Sequence, residues 1–336
     1  MKFSLNWLND YVDIPCDADT LAEKLSLSGL EVEELIPIGH DICNITTAKI
    51  TSITQHSDAD RLVVCQLDDG KETHQIVTAA TNVFEGAIVP ISTPGAILNS
   101  GLKIKATKMR GVPSNGMLCS EVELGLAEES EGIMILPDNT PLGVDFVDYA
   151  NVRDTILDVA ILPNRGDCQS IYGLAREIST LFNIPLKKPN TSITITDETV
   201  PFSVSVNNTD YCPIYTARSI RNVTQHETPD WMKRRLFLSG IRPISIVVDI
   251  TNYVLLECGQ PLHAFDQNLI KSGKIDCRFA KKGEAITTLD DEKRSCTDDT
   301  YLITDGENGI ALAGIMGANN SDINDDTRDV ILEQIF

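Results

Sequence analysis

At 336 residues the chain is too long for one ordinary core and points to two or three domains. Hydrophobic residues at 42% and charged residues at 23% exclude a disordered or fibrous chain, and no run reaches the roughly 20 apolar residues of a membrane helix. The balance of 28 Lys and Arg against 49 Asp and Glu gives a net charge of −21, which repels a polyanion at long range and confines any nucleic-acid contact to a local basic surface.

The amino terminus turns polar at Asn6 and Asn9, too soon for a secretory segment, so a cytoplasmic protein is expected. The 9 cysteines are scattered without a C-x-x-C pair. They fit neither a disulfide framework nor a zinc site and read as reduced, mostly buried thiols.

Along the chain, Leu5, Leu8 and Tyr11 recur at helical spacing, and Asp19 or Thr20 can cap a helix through Leu21, Leu25 and Leu27. Residues 30–36 alternate like a strand. So do 47–53, 62–67, 74–78 and 87–91, with Asp69-Gly70, Glu85-Gly86, Pro94-Gly95 and Ser100-Gly101 as turns. Short strands at that spacing suit a small closed barrel of the OB type. Residues 103–110 read as one more alternating strand with a basic edge. From Gly86 to Ser120 there is no Asp or Glu, while Lys103, Lys105, Lys108 and Arg110 fall inside that window. Beyond the barrel, 157–161 read as a strand, 171–182 as a helix and 191–200 as a linker. A second α+β domain follows, with an alternating segment at 202–206 and a helix over 229–239 with Pro229 at its start. Residues 245–249 lead into another helix and strand-like segments fill 275–316. The final apolar run, 330–336, has no polar tail and reads as a strand cut short.

Two ordered series carry a resemblance. His56-Ser57-Asp58-Ala59-Asp60-Arg61-Leu62, Ile76-Val77-Thr78, Asn82-Val83, Pro94-Gly95-Ala96, Arg110-Gly111-Val112 and Gly116-Met117-Leu118-Cys119 resemble the tRNA-binding OB domain of several synthetases, with Ala79 standing where a Gly is usual. Gly240-Ile241-Arg242-Pro243, Asp249-Ile250-Thr251-Asn252-Tyr253, Gln260-Pro261-Leu262-His263-Ala264-Phe265-Asp266, Ala313-Gly314-Ile315-Met316-Gly317 and Val330-Ile331-Leu332-Glu333 resemble the B3/B4 editing domain of the bacterial phenylalanyl-tRNA synthetase β subunit. With Pro163-Asn164-Arg165-Gly166-Asp167 the resemblance spans the whole chain in the family's order. It implies a multidomain α+β architecture. In it a tRNA-binding OB-fold barrel (40–150) is inserted in a small amino-terminal α/β domain (1–39 plus 151–190), and a mixed α+β editing domain (201–336), incomplete at its carboxyl end, follows the linker.

The function so implied is tRNA binding and hydrolysis of tyrosine mischarged onto tRNA(Phe), as part of an α₂β₂ heterotetramer with the catalytic α subunit. ATP and Mg2+ serve the full ligase at sites outside this segment. An apolar pocket rejects one added hydroxyl only about 100-fold, so a second, hydroxyl-seeking site restores accuracy. By resemblance Glu333 accepts the phenol, Thr251, Gly314 and Gly317 line the pocket, and His263 and Asn252 position the attacking water. Lys103, Lys105, Lys108 and Arg110 track phosphates.

The residues alone leave blander readings open. The lysines suit a guarded edge strand, His263 a core histidine, Asn252 and Thr251 helix caps, and Glu333 a salt bridge to Arg242 or Arg328. His56, Asp58 and Asp60 suit a turn better than a metal. A non-catalytic tRNA-binding or assembly module and a free-standing aminoacyl-tRNA hydrolase are the rival functions.

Overall fold

The computed structural model describes residues 1–194, 202–224 and 227–335. Residues 195–200 of the expected linker, and Phe336, lie outside the described residues. Contacts divide the chain into two compact units, Met1–Asn9 with Ile14–Ala160, and Asp10–Asp13 with Ile161–Phe336.

In the first unit, Lys2–Ser4, Asp154–Val159 and Val32–Ile38 form an antiparallel sheet with Asp154–Val159 in the middle. The helix beside it, Ala18–Leu27, is capped by Asp17 and not by Asp19 or Thr20. A cap residue must stand outside the helix with extended backbone and offer its oxygen to the third amide. Asp17 does so, accepting from the Thr20 amide at 2.9 Å, while Asp19 already lies in the first turn.

The same unit holds a five-stranded antiparallel sheet in the order Thr73–Thr78, Val63–Asp68, Cys43–Gln55, Ile88–Ile97, Met117–Leu118. Register shifts between Ile50 and Ser52 and between Cys43 and Ile45 put a bulge against each neighbour of the long central strand. Bulges bend and overtwist a strand, and the sheet curls into a half-barrel. Alternate residues Ala48 and Ile50, Cys65 and Leu67, and Val89 and Ile91 fill its concave side.

In the second unit, Ser170 accepts from the Gly173 amide and opens the helix Ile171–Phe182, which Asn183 closes in the left-handed region at φ 52. A helix Asp230–Leu238 precedes a second, Ile246–Cys258. Besides the two-stranded pair Ala285–Thr287 with Lys293–Ser295, two larger sheets follow. One orders Ser203–Val206, Lys274–Phe279, Tyr301–Thr304, Gly309–Leu312 and Met316–Gly317. The other sets Val330–Ile335 between Tyr215–Ile220 and His263–Asp266. Phe265 and Ile331 of the smaller sheet pack with Ile275, Cys277, Ile303 and Ile310 of the larger, so the core lies between them. No helix among the described residues is long and apolar enough to cross a membrane.

Candidate functional site

The strand Val330–Ile335 brings distant residues face to face. Glu333 is the register partner of Ala217 on one side and His263 on the other. Directly opposed residues project to the same side of a sheet, so these three side chains share a face. It is the face that carries Ile331 and Phe265 into the core. Glu333 is only 5% exposed. Its Oε2 has no hydrogen-bond partner among the described residues, and Arg328 is turned to the carbonyls of Asp325 and Thr327. Burial pushes the Glu333 carboxyl up from 4.5 to about 7, partly opposed by the nearby Tyr215 side chain.

Tyr215 pairs with Ile335 and so stands two positions from Ala217 on the same face. Its hydroxyl is also buried with no partner at full hydrogen-bond geometry, although it lies near enough to Glu333 for a weak hydrogen-bonding influence on both groups. Burial and then the Glu333 charge push the Tyr215 phenol up. The thiols of Cys212 and Cys277 are raised too, chiefly by burial, with Glu333 contributing to both.

The His263 ring meets Phe265 edge-on at 4.7 Å between centroids and has no hydrogen bond among the described residues. Burial lowers its basicity, with Asp322 working weakly the other way. The imidazole is therefore neutral near pH 7 and one ring nitrogen is a free acceptor. Gly317 lies against it: a Cβ there would stand 2.5 Å from both Cε1 and Nε2 of His263. Gly314 differs. Nothing lies within 4 Å of the Cβ it lacks, and its φ of +69 is what the turn between Gly309–Leu312 and Met316–Gly317 demands.

Glu333, His263 and Gly317 are thus brought together. Thr251 and Asn252 stand inside the helix Ile246–Cys258, which runs through Gly259 and Leu262 into the His263 strand. As helical neighbours they point in different directions, and the Thr251 hydroxyl donates to the Val248 carbonyl of its own turn at 2.7 Å. Ala217 and Tyr215 escape a sequence reading. The alternating exposure of 215–220 marks a strand, but no local signal says which distant strand it joins.

In the first unit, residues 103–110 are not one strand. Lys103 makes an isolated bridge to Ile97, and only Thr107–Met109 is a strand, paired with Val112–Ser114. Arg110 at φ 47 and Gly111 at φ 92 form the two-residue link between them. Such links require positive φ at both positions, and that ends the alternation. Lys103, Lys105, Lys108 and Arg110 are all exposed. His56 anchors this hairpin. Its Nδ1 accepts from the Asp58 amide at 3.0 Å, so Nε2 carries the proton and donates to the Met109 carbonyl at 3.0 Å. The Arg110 guanidinium donates to the Asp58 carbonyl.

Among the described residues one group could offer several ligand atoms to a metal: Asp167, Cys168 and Glu177. A cation does not fit there. The Arg165 guanidinium already bonds Asp167 at 3.1 Å and Glu177 at 2.9 Å. Two clefts lie away from Glu333 and His263. One is lined by Glu284, Ile286, Asn308 and Asn320, the other by Asp69, His74, Thr93 and Asn115 of the barrel unit.

Residues 45–145 match a family model described as a putative tRNA binding domain, and residues 211–336 match one described as a B3/4 domain. A curled tRNA-binding barrel followed by a B3/4 domain defines the class. Within it, the chain belongs to the family of phenylalanine--tRNA ligase beta subunits. It is 44% identical over 338 residues to the beta subunit of Syntrophus aciditrophicus, covering 100% of this chain and 42% of that protein. It is 45% identical over 335 residues to that of Desulfotalea psychrophila, covering 99% and 41%. With the beta subunit of Thermotoga maritima it shares 42% identity over 336 residues, covering 100% and 43%. The chain thus spans less than half the length of these relatives.

Proposed function

We propose that this chain supplies the tRNA-binding and proofreading parts of a phenylalanine--tRNA ligase beta subunit, and that the Glu333–His263 face hydrolyses tyrosine mischarged onto tRNA(Phe). The observation that carries this reading is a buried carboxylate with an unpartnered oxygen directly opposite a neutral histidine. An orphan buried acceptor costs about 1–3 kcal/mol. A phenol hydroxyl satisfies it and phenylalanine does not, so the missing bond becomes the selectivity.

With the phenol at Glu333, the ester lies toward His263. The imidazole acceptor orders a water, which attacks the ester carbonyl carbon. The carbonyl–ribose oxygen bond breaks, free tyrosine leaves, and the proton given up by the attacking water passes to the departing ribose oxygen, which becomes the terminal hydroxyl. Crowding by Gly317 holds the ring in place, and placement within about 1 Å decides such rates. The Lys103, Lys105, Lys108 and Arg110 surface holds tRNA phosphates. In the full ligase the chain joins a catalytic α subunit as α₂β₂ in the cytoplasm. ATP and Mg2+ act there for aminoacylation, outside this segment.

The test is deacylation of preformed Tyr-tRNA(Phe) and Phe-tRNA(Phe). Glu333→Ala removes the preference for Tyr-tRNA, and His263→Ala slows deacylation without changing RNA affinity. A Tyr/Phe ratio unchanged in Glu333→Ala refutes the pocket and leaves a tRNA-binding module.

A further inference from the structure

The strand Tyr215–Ile220 was not part of the site as the sequence defines it, yet it contributes the other orphaned polar atom of the Glu333 face. Tyr215 Oη and Glu333 Oε2 are both buried and both lack a partner. Register places them diagonally on adjacent strands of one sheet, with Ala217 directly beside Glu333. Diagonal neighbours on a sheet face are within reach of long side chains. The two orphans differ in kind. An ionised carboxylate only accepts, whereas a phenol hydroxyl both donates and accepts.

A ligand hydroxyl has both needs, one proton to give and lone pairs to fill. We infer that Tyr215 is a second specificity-determining residue, its hydroxyl donating to the phenol oxygen of a bound tyrosyl group while Glu333 accepts that phenol's proton. This rests on the proofreading reading and deepens it. A phenylalanyl group leaves two buried polar atoms unmet rather than one. The charge of Glu333, felt at the Tyr215 phenol, holds that proton on Tyr215 and keeps it a donor.

The experiment compares binding of two non-hydrolysable probes, tyrosyl and phenylalanyl amides of 3′-amino-3′-deoxyadenosine, to the whole chain and to Tyr215→Phe and Glu333→Gln. Tyr215→Phe deletes one oxygen and keeps the ring, so circular dichroism and melting check that the fold survives. The expected result is a preference for the tyrosyl amide that shrinks about tenfold in Tyr215→Phe and also shrinks in Glu333→Gln. If Glu333→Gln loses the preference and Tyr215→Phe keeps it, the role of Tyr215 is overturned and the Glu333 pocket stands. If Glu333→Gln keeps it, or the parent shows none, the proofreading reading falls and this inference with it.

Discussion

Replacing Glu333 by Gln turns the dryness of this carboxyl into a measurable quantity. Burial raises its pKa from 4.5 to about 7, and each tenfold in proton affinity is about 1.4 kcal/mol. The folded chain therefore binds this proton more tightly than the unfolded one. Below pH 4.5 both states hold it and no penalty exists. As the pH rises toward about 7 the unfolded chain releases it first, and stability falls. Above that, the whole penalty of roughly 3 kcal/mol is present. A glutamine has the same shape and no proton to lose. Glu333→Gln should thus differ little from the parent at pH 5 and be more stable by about 3 kcal/mol at pH 8. For a unit of this size that is roughly 6–12 °C in melting temperature. Melting both proteins at the two pH values reads the gap. A gap that does not grow with pH would show that the carboxyl is hydrated, and the selectivity argument would lose its basis.

Replacing Lys103, Lys105 and Lys108 together by Ala should weaken tRNA binding and flatten the log–log salt dependence by about 2–3; titration at several salt concentrations checks it, and an unaltered slope places the phosphates elsewhere. Gly317→Ala would drive a methyl into the His263 ring and should slow Tyr-tRNA deacylation about 100-fold. Gly314→Ala meets only the backbone strain of its positive φ, about 1 kcal/mol in melting experiments. Equal kinetic losses in the two variants would refute the distinction.

The local signals in the sequence were legible wherever one segment decided its own structure. The helix Ile171–Phe182 lies where its apolar spacing puts it, and the barrel strands lie within a few residues of their alternating runs. Residues 103–110 misled because alternation survives in a loop followed by a hairpin, while the backbone at Arg110 and Gly111 decides otherwise. Residues 161–190 cluster with the amino-terminal Asp10–Asp13 as well as with the rest of the second unit, where a Cβ at Gly259 would stand 3.4 Å from Ser170. At the candidate site, the resemblance supplied Glu333 and His263 as separate points. That they are register partners, with Tyr215 beside them, depends on long-range strand pairing that no periodicity encodes.

Ala217 and Glu333 are more than a hundred residues apart in the chain, yet adjacent in the sheet. Pairings of such separation must close a long loop before they gain anything, so they form slowly and late. The Glu333–His263 face is consequently among the last things this unit acquires as it folds. A substitution far from Glu333 that delays closure of the sheet would leave helices and barrel intact and still yield a protein in which Glu333 and His263 have not yet met.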